Sequence, residues 1–257
     1  MEKQEDIKFF YMDRVLNKYP YIDEDEDGGY IFIHIPKTGG TSVRNILDIQ
    51  SHLVTTNCGN IHHYIYEDLE YFIPKKRLDK YWKFCFIRNP VDKFISAIDY
   101  IIRHPPIINT QIPDKREFIL KLKCPLKCAK FLKSHPEMLE DFKKIKFFSD
   151  QYKFMVNKYD MIEMNYIGTT KTINQDILNI SKAIEVKVDE DMMQHKLNTS
   201  KGDFEHLKNN EELNEIINQL YNSDMKIFQY ISKNKDIVGN NFKGMNYKGM
   251  LIDRPIY

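Results

Sequence analysis

A glycine-rich segment near residue 40 constrains this chain more than any other feature. It begins with an apolar run, Tyr30 to Ile35, that has the length of a buried strand, and it turns at Pro36. Apolar residues then return at helical spacing from Val43 onward. The pattern predicts a strand, a loop, and a helix from about residue 41 to residue 50. A loop in this position directs backbone N–H groups and a helix N-terminus toward an anion.

The loop is composed of residue types that anion-binding loops use. A lysine precedes two glycines, and three hydroxyl side chains stand beside them. The candidate anion ligands are Lys37, Thr38, Gly39, Gly40, Thr41 and Ser42. In an ordinary ATP-binding P-loop the lysine follows the last glycine directly, whereas here it precedes both glycines. The order of residues therefore disfavours an ATP-driven enzyme of the usual P-loop type.

A second strand–turn–helix unit follows the first later in the chain. The apolar run from Tyr81 to Ile87 predicts a strand, Arg88 follows at once, and Pro90 suits the first turn of a helix. This helix has a strong apolar stripe, and Lys93 is expected on its solvated face. Because ligands bind at the carboxyl ends of parallel strands, Arg88 and the first loop are expected at the same edge. The predicted fold class is α/β, with a central, mainly parallel sheet flanked by helices.

The rest of the chain predicts further elements. Periodicity indicates a helix over 147–155, a strand over 159–168, a helix over 173–184 and one long amphipathic helix over 213–228. Prolines divide 103–150 into short pieces, which suggests an insertion or a lid. Residues 1–29 are expected to be an N-terminal extension, and 238–257 a C-terminal arm of a single domain.

Composition excludes several classes of function. The chain has 257 residues with 38 basic and 37 acidic side chains, so its net charge of +1 gives no global attraction to nucleic acid. No apolar run reaches the length of about 18 residues that a membrane span needs. The N-terminus lacks the apolar core of a signal peptide. We therefore expect a cytoplasmic or otherwise soluble protein without a membrane span, whose oligomeric state the sequence leaves open.

Two segments together carry a resemblance to a known family. The sequence IPKTGGTS, residues 35–42, resembles the 5′-phosphosulfate loop of sulfotransferases that use 3′-phosphoadenosine-5′-phosphosulfate (PAPS). It is most similar to the carbohydrate group that includes the heparan sulfate 2-O- and 6-O-sulfotransferases. Residues 86–100 resemble the 3′-phosphate segment of that family, in which an Arg and a Ser eight residues later bind the phosphate. Those positions are Arg88 and Ser96 here. The resemblance covers residues 30–232.

The resemblance implies a three-layer, P-loop-like fold and a donor, PAPS, that leaves adenosine 3′,5′-bisphosphate as product. No metal is expected. Lys37 would neutralise charge on the bridging oxygen as the bond to sulfur breaks. The general base would be one of two adjacent histidines, with His63 favoured over His62. The polar segment 195–204 is either a loop that closes over the nucleotide, with Lys201 adding charge near the 3′-phosphate, or an ordinary surface loop. The acceptor is expected to be a glycan. The basic residues of 103–150 either suit an anionic glycan or form a solvated surface, and the sequence leaves both interpretations open.

Two alternatives from other classes stay open at this point. One is a nucleotide or small-molecule kinase with a divergent phosphate loop. The other is a non-catalytic nucleotide-binding module that shares the fold.

Overall fold

A three-stranded parallel sheet lies at the centre of the residues described by the structure, a computed structural model. These residues are 29–47, 64–104, 122–188, 193, 202–234 and 242–250. The strands stand in the order β1 (Tyr30–Ile33), β2 (Trp82–Ile87) and β3 (Tyr166–Thr169). In the central strand both Phe84 and Cys85 are fully buried, although they point to opposite faces. Burial on both faces explains why these strands appear in the sequence as continuous apolar runs.

Helices connect and cover the strands. They are α1 (Gly40–Ile46), α2 (Tyr66–Phe72), α3 (Lys75–Leu78), α4 (Pro90–Arg103), α5 (Pro125–Ser134), α6 (Pro136–Lys143), α7 (Ile173–Ala183), α8 (Glu211–Leu220), α9 (Asn222–Asn234) and α10 (Tyr247–Met250). None of the described helices has the length and apolarity that crossing a bilayer would require.

The core has three parts, arranged by the alternation of side chains along the strands. Phe32 and Phe84 pack with the buried faces of α1 and α7 on one side of the sheet. Ile33 and Cys85 pack with α2 and α9 on the other side. A third cluster joins α4 with α5 and α8. The fold is thus α/β, with helices on both faces of a parallel sheet, and the predicted fold class is confirmed.

Helix α4 begins where the sequence predicts. Pro90 occupies the first turn, and the Asn89 side chain caps the helix by accepting a hydrogen bond of 2.9 Å from the Val91 N–H. The prediction that Lys93 is solvated is wrong, because its side chain is buried between α4 and the segment that follows α6. The Lys93 ammonium donates to the carbonyls of residues 147 and 149, each at 2.9 Å, which satisfies two of its three donors.

The predicted helix over 147–155 is also wrong. This segment consists of turns and a short 3-10 helix, Tyr152–Phe154. The backbone N–H groups of Gln151 and Tyr152 donate to the carboxylate of Asp224, so they do not form helical hydrogen bonds. The Asp224 carboxylate, 73 positions from Gln151, thus takes the place of the backbone acceptors that a helix would supply.

The predicted single helix over 213–228 is two helices, α8 and α9, which meet at Tyr221. The backbone of Tyr221 departs from helical angles, and its hydroxyl donates to the Phe148 carbonyl at 3.0 Å. Asn222 and Asp224 then occupy the first turn of α9, where short polar side chains are favoured. The break places Asp224 beside the 147–152 segment.

The predicted helix over 173–184 is confirmed as α7, whereas the predicted strand over 159–168 is regular only from Tyr166. Of the C-terminal segment, the structure describes residues 242–250. Phe242 is fully buried in the core, and the Tyr247 ring stacks on Tyr152 with 4.6 Å between centroids. The predictions for residues 1–28, 48–63 and 194–201 lie outside the described residues.

Candidate active site

The loop between β1 and α1 is fixed by a buried hydroxyl and by unusual backbone angles. Thr38 is fully buried, and its Oγ1 donates to the Ile35 carbonyl at 2.8 Å. The φ angles of Lys37 and Gly39 are +66° and +84°. Glycine adopts this left-handed region without a steric cost, whereas a lysine does so only where the surroundings hold it. The loop therefore has a defined shape rather than that of an ordinary turn.

Gly40 is required at the start of α1 by the close approach of His34. A Cβ atom at position 40 would lie 2.0 Å from the His34 ring, a distance that real atoms do not reach. The His34 ring in turn stacks on Phe32, with 5.6 Å between centroids. Gly40 is therefore needed because a side chain would clash with His34, whereas Gly39 is needed for its positive φ angle.

Arg88 lies directly after β2 and reaches the loop. Its Nη1 donates to the carbonyl oxygen of Lys37 at 3.2 Å, across 51 positions of sequence. Ser96 lies on α4 and is buried, at 8% exposure. The two segments singled out by sequence therefore meet at one edge of the sheet, as the parallel arrangement requires.

The Lys37 amine lies over an aromatic ring in a partly buried position. Its Nζ is 3.9 Å from the centroid of the Tyr100 ring on α4, a cation–π contact. Burial, followed by the nearby charges of Arg88 and Arg103, lowers the pKa of Lys37 to about 8, and Asp99 opposes this shift. The Lys37 amine is therefore able to change its charge near neutral pH.

Asp99 and Arg103 form an ion pair one turn apart on α4, beside Lys37. The Asp99 carboxylate is buried, and a Cβ atom on Gly202 would lie 3.2 Å from its Oδ2 atom. Gly202 thus lies against the same helix, close to the Asp99 carboxylate. Lys201, the neighbouring candidate ligand, lies outside the described residues.

The remaining predicted site residues have the following positions. Thr41 and Ser42 lie in the first turn of α1 and are partly buried. His62 and His63 lie outside the described residues, so their predicted role stays a prediction. Within the described ranges, no group of three or more His, Cys, Asp or Glu side chains is arranged to hold a metal ion.

The buried side chain of Gln151 completes the site, and sequence reasoning assigned it no role. Its Oε1 accepts from the Arg88 N–H and its Nε2 donates to the Arg88 carbonyl, both at 2.8 Å. Asp224 in turn accepts from the Gln151 N–H. No local pattern marks either residue. The sequence offered no signal for them, because both stand among other polar residues, in the segments FFSDQYKFM (147–155) and YNSDMKIF (221–228).

Two lysines from the basic 103–150 region are paired with α8. Lys130 lies 2.8 Å from Glu212, and Lys133 lies 3.9 Å from Glu215. All four side chains are about half exposed, so these pairs add little stability. They do reduce the excess positive charge that the sequence suggested for this region.

A comparison with protein families supports the importance of the two segments that meet at the sheet edge. A model of the Sulfotransferase family matches residues 20–231, which is well over half of the chain and includes both the loop and Arg88. Neither a search of curated proteins nor a search of solved structures returns a match. On the family match, this chain belongs to the sulfotransferase family and is a transferase.

Proposed function

We propose that this sulfotransferase transfers the sulfuryl group of PAPS to a hydroxyl of a carbohydrate acceptor. The observation that carries the proposal is the 3.2 Å hydrogen bond from Arg88 to the Lys37 carbonyl. It joins the loop expected to hold the 5′-phosphate to the arginine expected to hold the 3′-phosphate. A nucleotide with phosphates on both sides of its ribose suits such a pair of cationic segments.

The residues present fit this donor. Gly39, with its positive φ, and Gly40, which admits no side chain, keep the loop backbone accessible as a source of N–H donors. Thr41 and Ser42 add hydroxyl donors at the start of α1. Arg88 offers a planar fork of N–H donors suited to phosphate, and Ser96 stands two helical turns farther along.

PAPS supplies an activated sulfuryl group whose leaving oxygen belongs to the 5′-phosphate. The role of Lys37 is to place an ammonium group where negative charge grows on that oxygen. A general base takes the proton of the acceptor hydroxyl as its oxygen bonds to sulfur and the bridging S–O bond breaks. We assign this role to His63, or alternatively His62, because imidazole accepts a proton near neutral pH. The products are the sulfated acceptor and adenosine 3′,5′-bisphosphate.

The carbohydrate acceptor rests on the similarity of IPKTGGTS to the carbohydrate sulfotransferases. The basic residues of 103–150 add less support than their number suggested, because Lys130 and Lys133 are paired with glutamates of α8. Lys201 remains the candidate for additional charge near the 3′-phosphate.

Calorimetry tests the donor, and a transfer assay tests the acceptor. Adenosine 3′,5′-bisphosphate should bind without magnesium, and ATP with magnesium should bind more weakly. Tight ATP binding with no bisphosphate binding would instead support a kinase. Transfer of labelled sulfate from PAPS to a panel of glycans, phenols and lipids should label glycans. Labelling only of phenols or lipids would refute the carbohydrate acceptor.

A further inference from the structure

Arg88 is held by its backbone as well as by its side chain. The Gln151 amide forms two hydrogen bonds of 2.8 Å with the backbone of this one residue, accepting from its N–H and donating to its carbonyl. This pairing replaces the contacts that a neighbouring strand would supply at the end of β2. Gln151 is buried, at 2% exposure, so the pairing is shielded from water. The peptide groups on both sides of the Arg88 Cα atom are fixed as a result.

Gln151 is itself fixed by Asp224, from the first turn of α9. The two carboxylate oxygens accept from the Gln151 N–H at 2.9 and 2.7 Å, and one also accepts from the Tyr152 N–H at 3.2 Å. Asp224 is buried, at 2% exposure. Removing a carboxylate from water is costly, and these three hydrogen bonds offset part of that cost.

Two lysines contact the same segment. Lys93 donates to the carbonyls of Phe147 and Ser149, each at 2.9 Å. The Lys143 ammonium lies 2.9 Å from the Asp150 carboxylate, and both side chains are almost fully buried. The segment that carries Gln151 is therefore held at its carbonyl groups by Lys93 of α4 and at its N–H groups by Asp224 of α9. Lys143 of α6 pairs with the side chain of Asp150 in the same segment.

We propose that Gln151 and Asp224 are positioning residues that direct the Arg88 guanidinium toward the 3′-phosphate of the donor. The inference rests on the proposed function, since Arg88 must bind that phosphate. Neither residue touches the nucleotide. Asp224 orients Gln151, Gln151 fixes the Arg88 backbone, and the Arg88 side chain leaves that backbone in a set direction toward the loop.

The measurement is the ratio of two affinities, for adenosine 3′,5′-bisphosphate and for adenosine 5′-monophosphate. The second ligand lacks only the 3′-phosphate, so the ratio reports the contribution of the residues proposed to bind that phosphate, Arg88 among them. In Gln151→Ala the ratio should fall about tenfold or more, because small displacements of a binding group cost this much. Gln151→Glu preserves the shape of the side chain but cannot donate to the Arg88 carbonyl when ionised. Its ratio should fall as well.

Controls separate positioning from a general loss of stability. Lys83→Met removes a buried ammonium that donates to the carbonyls of Leu78 and Tyr81, at 2.8 and 3.0 Å, away from Arg88. Its melting temperature should fall while the affinity ratio stays at the wild-type value. Asp224→Asn weakens the hydrogen bonds that Asp224 accepts from the Gln151 N–H. The affinity ratio of this variant should therefore fall, as is expected for Gln151→Ala.

The Arg88→Ala variant distinguishes failure of the inference from failure of the proposed function. If the wild type does not prefer the bisphosphate, or if Arg88→Ala retains the preference in full, the proposed 3′-phosphate site with Arg88 as its ligand is refuted. If Arg88→Ala lowers the preference and the folded Gln151 variants retain it in full, the positioning role is refuted and the proposed function stands. A fall in the ratio in both Gln151 variants, with Lys83→Met unchanged, supports the inference.

Discussion

The Nζ atom of Lys37 lies 3.9 Å from the centroid of the Tyr100 ring. The two residues come from different strand–helix units, since Lys37 follows β1 and Tyr100 lies in the last turns of α4. The ring favours the charged amine, whereas burial and the nearby Arg88 and Arg103 disfavour it and lower the pKa to about 8. The charge of Lys37 therefore depends on a balance that single substitutions can shift.

Replacing the ring of Tyr100 should move the alkaline limb of the activity profile. In Tyr100→Leu the ammonium form of Lys37 loses about 0.5–1 kcal/mol of cation–π stabilisation, which lowers its pKa by about half a unit. Because the proposed role of Lys37 needs the ammonium form, kcat/KM should begin to fall at a correspondingly lower pH. Tyr100→Phe retains the ring and should keep the wild-type profile. An equal shift in Tyr100→Phe would assign the effect to the hydroxyl instead.

At alkaline pH, nucleotide binding should be accompanied by protonation of Lys37. At a pH of about 9 most Lys37 side chains in the free protein are neutral, because their pKa is about 8. A bound phosphate stabilises the ammonium form and raises this pKa, so binding of adenosine 3′,5′-bisphosphate draws a proton from the buffer. Calorimetry in two buffers of different ionisation enthalpy measures the uptake.

Lys37→Met serves as the comparison for that measurement, and it should remove most of the proton uptake. The buried Lys83 and Lys93 also have lowered pKa values, near 8, but neither contacts the loop through a described hydrogen bond. Uptake that persists undiminished in Lys37→Met would show that another group titrates on binding.

Gly40→Ala should destabilise the protein through one specific neighbour. The new methyl group meets the His34 ring at 2.0 Å, and overpacking of this kind costs about 1–3 kcal/mol of unfolding free energy. His34→Ala removes the obstacle but leaves a space beside Phe32. Denaturant unfolding of the double variant should therefore show less destabilisation than the two single variants add up to. Additive effects would mean that Gly40 is needed for another reason.

The two adjacent histidines should differ in their effect on transfer. His63→Ala should lower kcat by about 10²–10⁴-fold, the usual contribution of a general base, and leave bisphosphate binding largely intact. His62→Ala should have the smaller effect. His104→Ala is the matched control, since this exposed histidine lies near Tyr100, with 4.7 Å between the centroids of the two tilted rings. A larger loss of kcat in His104→Ala than in His62→Ala or His63→Ala would instead assign the general base to His104, which directly follows α4.

The parts of the fold that depend on local pattern were predictable from the sequence. The strands are short apolar runs, α4 begins at Pro90 and α7 follows a regular spacing of isoleucines. The meeting of Arg88 with the loop also followed, because parallel strands present their carboxyl ends together. Each of these predictions needed only neighbouring residues and one rule of sheet topology.

The supporting contacts of the site could not be predicted in this way. Lys93 looked solvated because its partners, the carbonyls of Phe147 and Ser149, are 54 and 56 positions away. Gln151 and Asp224 are 73 positions apart and carry no shared motif. Periodicity reports which face of an element is buried, but it does not report that a charged side chain finds backbone acceptors there.

The hydrogen bonds from Asp224 through Gln151 to Arg88 also have a consequence for biosynthesis. A ribosome releases the loop and Arg88 early, but the carboxylate that orients Gln151 becomes available only when α9 has been made. A nascent or prematurely terminated chain ending before α9 contains both nucleotide motifs without the contacts that hold Arg88 in place. Such a chain would show the sequence signature of the site while lacking the support for its arginine.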